Sequence, residues 1–291
     1  MKLSGAELEG RIEKLYGILE NCTLCPRNCR VNRFSSKNGS CRTGARPIVS
    51  SFGPHFGEES FLVGNSGSGT IFFTNCNLNC VFCQNWEISQ MGAGEEIDVE
   101  ELSKIMLRLQ KMGCENINLV SPTHQVPMIV DALFRAWQKG LELPVVYNCG
   151  GYESIETLRL LEGIVDIYMP DFKYGDDAKA LKYSGVANYV SVAKRALEEM
   201  YRQVGPLKIE NGVATRGVFV RHLVMPNDTS SSGKVLQLIA SVSENIPVNI
   251  MAQYYPAFKA QHYPELNRRI TREEFVEVIE KARALGLKIV S

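Results

Sequence analysis

From Gly69 to the C-terminus the chain keeps one rhythm: a short apolar run, a polar turn, then an amphipathic helical stretch. That alternation is the sequence sign of βα units and a parallel sheet. Six runs qualify as strands, at 70–73, 117–120, 145–147, 165–169, 218–224 and 248–251, with a last one possible at 287–290. Helices are expected at 99–112, 128–139, 155–161, 187–204 and 234–242, and Thr271-Arg272-Glu273-Glu274 reads as a capping box for a final helix closed by Gly286. Six units fall short of the eight that close a full barrel. The expected architecture is therefore α/β, a partial (β/α)6 TIM-like barrel over residues 51–291. A helix (6–20) and a Cys-rich metal-binding segment occupy residues 1–50. The stretch 47–68 reads as a connector, with Val49, Phe61 and Val63 as strand residues and His55 in a surface or packing role.

The first of these strands runs into Cys76-Asn77-Leu78-Asn79-Cys80-Val81-Phe82-Cys83. Thiolates are soft ligands for zinc and iron–sulfur clusters. A cubane has four irons, so three cysteines anchor three of them and leave one open to a small molecule. Zinc also accepts three ligands and an open position, although its catalytic sets are rich in His and Glu. The spacing would equally suit three core cysteines on one helix face, but Asn75, Asn77, Asn79, Gln84 and Asn85 crowd the stretch with turn-forming polar groups. Upstream, Cys22-x2-Cys25-Pro-x2-Cys29-x11-Cys41 is a second thiol set, and its spacing fits a closed zinc site or a complete iron–sulfur cluster. Arg27, Arg30, Arg33 and Arg42 surround it.

Nine cysteines without a secretion-type leader argue for metal rather than disulfides, hence a cytoplasmic setting. The 32 basic residues balance 32 acidic ones, so neither nucleic acid nor an anionic membrane is an expected partner. No apolar run approaches the length of a membrane span.

Cys-x3-Cys-x-Phe-Cys resembles the cluster motif of radical S-adenosylmethionine (SAM) enzymes. Gly69–Cys76 and Cys83-Gln84-Asn85-Trp86 resemble the branch related to pyruvate formate-lyase activating enzyme, and within it a subgroup whose function is largely unassigned. The likeness runs from about Cys22 to the C-terminus. It implies the same partial barrel and a [4Fe-4S] cluster on Cys76, Cys80 and Cys83. It also implies reductive cleavage of SAM to a 5′-deoxyadenosyl radical that abstracts a substrate hydrogen, and a flavodoxin- or ferredoxin-type reductant. A protein substrate, as in a glycyl-radical-enzyme activase, is one option and another molecule the other. A different class is an iron–sulfur electron-transfer or zinc-binding module without SAM chemistry.

Chemistry in parallel barrels gathers on the loops after the strands, and each run empties into a polar cluster there. The relatives carry a Gly-Gly-Glu-like segment after the second strand. This chain has Ser121-Pro122-Thr123-His124 instead, so Ser121 and Thr123 are SAM candidates by position alone. Asn148 and the Asp171/Lys173 pair occupy places where the activating-enzyme relatives contact SAM. Arg221, a charge inside an apolar strand, needs a carboxylate or SAM as partner. Its neighbour His222 points to the other strand face and is structural. Phe82 and Tyr254 are expected to flank the adenine. His124 and Cys149 are the candidate catalytic residues, an acid or base and a thiol hydrogen donor, against packing roles for both. Cys114 is a packing residue.

Overall fold

The computed structural model describes residues 3–291. A helix, Gly5–Ile18, opens the chain with Ser4 as its N-cap. It buries Leu8 and Leu15 completely in the main core, together with Leu19. The Cys-rich segment follows as turns, without helix or strand. Strands then come in the order β1 (Ile48–His55), β2 (Ser68–Phe73), β3 (Glu95–Glu96), β4 (Ile117–Val120), β5 (Val145–Cys149), β6 (Ile167–Pro170), β7 (Lys208–Glu210), β8 (Val213–Val218), β9 (Val220–Leu223), β10 (Val248–Met251) and β11 (Ile289–Val290).

β2, β4, β5, β6 and β8 run parallel, and β9, β10 and β11 form a second parallel set. A parallel bridge between Asp171 and Arg221 carries β6 onto β9. The six parallel positions of the barrel are thus β2, β4, β5, β6, β9 and β10, in the predicted order. Closure does not occur: β1 pairs antiparallel along the free side of β2, and β11 ends the other side. Helices Val99–Lys111, Val126–Gln138, Ile155–Leu160, Tyr189–Val204, Ser232–Val242 and Arg272–Ala284 cover the outside. Their local signals are the expected ones. Asp98 and Ser154 accept from the backbone N–H groups of Glu101 and Thr157, and Thr271 with Glu274 forms the capping box.

Three stretches differ from the sequence reading. The connector contains a long strand, β1, followed by a helical turn, Ser60–Val63. Phe61 and Leu62 are helical and plug the barrel, packing on Val146, Ile167, Met169 and Phe219. The single run at 218–224 is two strands, because β8 turns back from a hairpin with β7 before the chain enters β9. A helix at Asp177–Ser184 was not foreseen; Asp176 caps it and Gly185 ends it in the left-handed conformation.

Candidate functional site

Side chains alternate along a strand, so each barrel strand sends every second residue inward. Here the inward positions nearest the C-terminal strand ends are Phe72, Val120, Asn148, Asp171, Arg221, Leu223 and Met251. All of them line one cavity of about 380 Å³, together with Cys80, Phe82, Cys83, Gln84, Asn85, Lys173 and Gln253. The volume lies within the range of small-molecule and cofactor sites.

A chain of charges crosses its wall. Asp171 accepts from Lys173 Nζ at 2.7 Å and from Arg221 Nε at 3.1 Å. Arg221 also donates through Nη1 to Glu58 at 2.9 Å and through Nη2 to the Asn148 side-chain oxygen at 3.0 Å. Burial works against the Asp171 carboxylate, but Lys173 and Arg221 outweigh it and hold its pKa below the usual value. Burial likewise opposes the Lys173 ammonium, and Asp171 reverses the balance and raises it. Lys173 is therefore a fixed cation, with one of its three ammonium hydrogens committed to Asp171. Gly151 lets these loops meet: its φ is +75°, and a Cβ there would stand 2.7 Å from the Asp171 carbonyl.

Two of the motif thiols, Cys80 and Cys83, line the cavity, and all three have a polar group within hydrogen-bond distance of sulfur. Cys76 Sγ accepts from the Leu78 N–H at 3.4 Å, Cys80 Sγ lies 2.9 Å from Ser184 Oγ, and Cys83 Sγ lies 3.1 Å from Ser89 Oγ. Burial, then the neighbouring Cys80, pushes the Cys76 thiol up to about 12. Burial raises Cys80 too, against the pull of Lys173. Buried thiolates of this kind persist when a metal supplies the compensating charge, so the donor set fits a cluster.

The Cys-rich segment is bolted to this loop. Arg27 donates to the carbonyls of Asn77 and Gly185, Arg42 to those of Ser89 and Gln90, and the Asn75 amide to Thr43 Oγ1. Cys22, Cys25, Cys29 and Cys41 surround a small enclosed cavity of about 10 Å³ that Arg33 and His124 also line. Burial is the main cause that raises the Cys25 thiol, with Cys41 and Cys22 adding to it. Among the described residues no group of three or more His, Cys, Asp or Glu side chains is arranged to hold a single metal ion.

Several predicted residues lie elsewhere. Phe82 lines the large cavity, but Tyr254 does not: its ring backs Phe82 at 6.1 Å and its hydroxyl donates to the Leu266 carbonyl. Ser121 takes a left-handed backbone, φ +58°, and hydrogen-bonds the Asn148 carbonyl through its own N–H outside the lining. Thr123 donates to Glu153 at 2.6 Å. His124 is turned away into the small cavity, where burial depresses its pKa to about 3. Cys149 is buried at 3% exposure and lies outside the lining, so neither catalytic candidate reaches the large cavity. His222 bonds the Phe172 carbonyl and Ser232, and Cys114 is buried, as their structural readings require. Sequence reasoning missed Glu58 and the cavity-lining His55. The signal available was the polar cluster Gly57-Glu58-Glu59 directly after β1.

The model of the Radical SAM superfamily matches residues 70–239. An uncharacterised protein of Methanocaldococcus jannaschii is 35% identical over 97% of this chain and 80% of its own length. The pyruvate formate-lyase-activating enzyme of Clostridium pasteurianum is 25% identical over 66% of this chain and 76% of its own. Among solved structures, a radical SAM methyltransferase from Sphaerobacter thermophilus superposes with a TM-score of 0.50 at 14% identity, over 76% of this chain and 65% of that one, so this chain spans just under two thirds of it. That last likeness speaks for the fold alone. With its three-cysteine loop set at the mouth of an open six-unit barrel, the chain belongs to the radical SAM superfamily.

Proposed function

We propose that this protein is a SAM-cleaving enzyme whose cofactor pocket is the 380 Å³ cavity at the strand ends. The observation that carries the reading is the convergence of Cys80, Cys83, Phe82, Asn148, Asp171, Lys173 and Arg221 on that one space. Cys76, Cys80 and Cys83 hold a [4Fe-4S] cluster, which when reduced supplies the electron that cleaves SAM and starts hydrogen abstraction from a substrate. Lys173 meets the SAM carboxylate as a charge-assisted donor. Asp171 fixes Lys173, and Arg221 fixes Asp171 and Asn148. Phe82 gives the adenine an apolar wall. The reductant is an external flavodoxin- or ferredoxin-type protein. The Cys22–Cys41 segment holds a second metal centre.

The test is anaerobic reconstitution, reduction and addition of SAM. Formation of 5′-deoxyadenosine that is lost in the Cys76→Ala/Cys80→Ala/Cys83→Ala variant is the expected result. Iron and sulfide bound at those cysteines with no SAM cleavage would favour an electron-transfer module instead. The activating-enzyme relative supports an activase-like variant of this reading, in which the hydrogen comes from a partner protein. A protein-borne glycyl radical formed in a mixture with cell extract would support it, and deuterium from a labelled small molecule appearing in 5′-deoxyadenosine would displace it.

A further inference from the structure

Two buried polar side chains face the N-terminal thiol cavity with an atom unmatched among the described residues. Arg33, 3% exposed, spends Nε on the Thr43 carbonyl and Nη2 on the Gly44 carbonyl, and its Nη1 meets no acceptor. His124, 2% exposed, places Nε2 2.8 Å from the Thr74 carbonyl oxygen. A carbonyl only accepts, so Nε2 carries the proton, and Nδ1 of the neutral ring presents a lone pair. That Nδ1 is buried and unpartnered. Leaving a buried acceptor unmet is costly, and the ring that carries this lone pair lines the thiol cavity. Metal-bound imidazoles characteristically donate their other N–H to a carbonyl or carboxylate, as Nε2 does here.

The four thiols are not equivalent. Cys22, Cys25 and Cys41 are 7%, 9% and 8% exposed. Cys29 is less deeply buried and takes up the Ser40 N–H at 3.4 Å. Arg33 adds a fixed cation beside the thiols.

We propose that the N-terminal metal centre is held by a mixed ligand set, the thiolates of Cys22, Cys25 and Cys41 with Nδ1 of His124, and that Cys29 is dispensable for metal retention. The proposal rests on the reading that this segment binds metal. It also ties the two centres together, because His124 bonds the carbonyl of Thr74, two residues before Cys76.

The experiment uses the full chain with Cys76, Cys80 and Cys83 changed to Ala, loaded anaerobically with ferrous iron plus sulfide in one arm and with zinc in the other. X-ray absorption at the edge of the bound metal is expected to show nitrogen beside sulfur. A reduced cluster is expected to show coupling to ¹⁵N-histidine that disappears in His124→Ala, with His55, His222 and His262 still present. Cys29→Ser is expected to keep its metal, and His124→Ala to bind it at least about 10- to 100-fold more weakly. A sulfur-only shell in both arms overturns the assignment and leaves His124 to an ordered water, as does metal lost with Cys29→Ser but kept with His124→Ala. Absence of any metal in both arms overturns the second-centre reading itself and this assignment with it, a result distinct from a sulfur-only shell. The spectra of the histidine-containing chain stand even if His124→Ala fails to fold.

Discussion

Replacing Arg221 by Met tests whether the charge chain behind the cavity is a structural unit. Arg221 makes three hydrogen bonds, to Glu58, Asp171 and Asn148, at 2.9–3.1 Å. The side chains are sheltered: Arg221 is 17% exposed, Glu58 7% and Asp171 21%. Removing one partner of a buried ion pair costs about 3–5 kcal/mol, because the other charge is stranded. Here the loss belongs at the low end, about 3 kcal/mol. Asp171 keeps Lys173 at 2.7 Å, and Glu58 keeps the Asn118 amide at 3.2 Å. The stranded group is then chiefly Glu58, so Glu58→Gln should return part of the loss. A double-mutant cycle should give a coupling on the order of 1–3 kcal/mol. Anaerobic urea unfolding at pH 7 reads all four proteins, and equal m-values establish that the folded states are comparable. A loss below about 0.5 kcal/mol in Arg221→Met, or additivity within the same margin, would refute the reasoning. Arg221 would then be a solvated rim charge free to meet a ligand.

Two further outcomes follow from buried groups near the strand ends. Glu153 accepts from Thr123 and Tyr147, and burial lifts its pKa from 4.5 to about 7. A carboxyl with a raised folded-state pKa contributes stability that is complete below pH 4.5 and is lost as pH rises through about 7, worth about 3 kcal/mol. Glu153→Gln should flatten that part of the stability–pH curve, and a pH-independent offset from the parent would contradict the assignment. Ser184 Oγ lies 2.9 Å from Cys80 Sγ and 2.7 Å from the Tyr174 hydroxyl, and under the proposed ligation the Cys80 thiolate can only accept from it. Ser184→Ala should retain the cluster and lower its midpoint potential by about 40 mV, the equivalent of roughly 1 kcal/mol for one electron. An unchanged potential in redox titration followed by EPR would remove Ser184 from the sulfur's environment.

How far the site can be read from sequence depends on whether its geometry is periodic. Asn148, Asp171 and Arg221 come together because parallel strands in register set their inward positions on one rim, and alternation plus strand order suffices to place them. The Asp171–Arg221 bridge is that register made visible. Thr123 and His124 sit at the same strand end, yet a 3₁₀ turn over Thr123–Gln125 rotates them to Glu153 and to Thr74. No periodicity encodes that rotation. The same limit hides Phe61, whose short apolar run reads equally as strand or helix until the barrel interior it fills is known. Glu58 shows the limit most clearly. An arginine inside an apolar strand announces that an anion must exist, since the charge is too costly to bury alone. The partner, however, lies 163 residues away on the loop after an antiparallel strand. Energetic necessity is therefore local, written at Arg221, whereas its satisfaction is tertiary. A charge set inside an apolar strand, as at Arg221, is accordingly where a sequence is most informative about the need for a partner and least informative about which partner meets it.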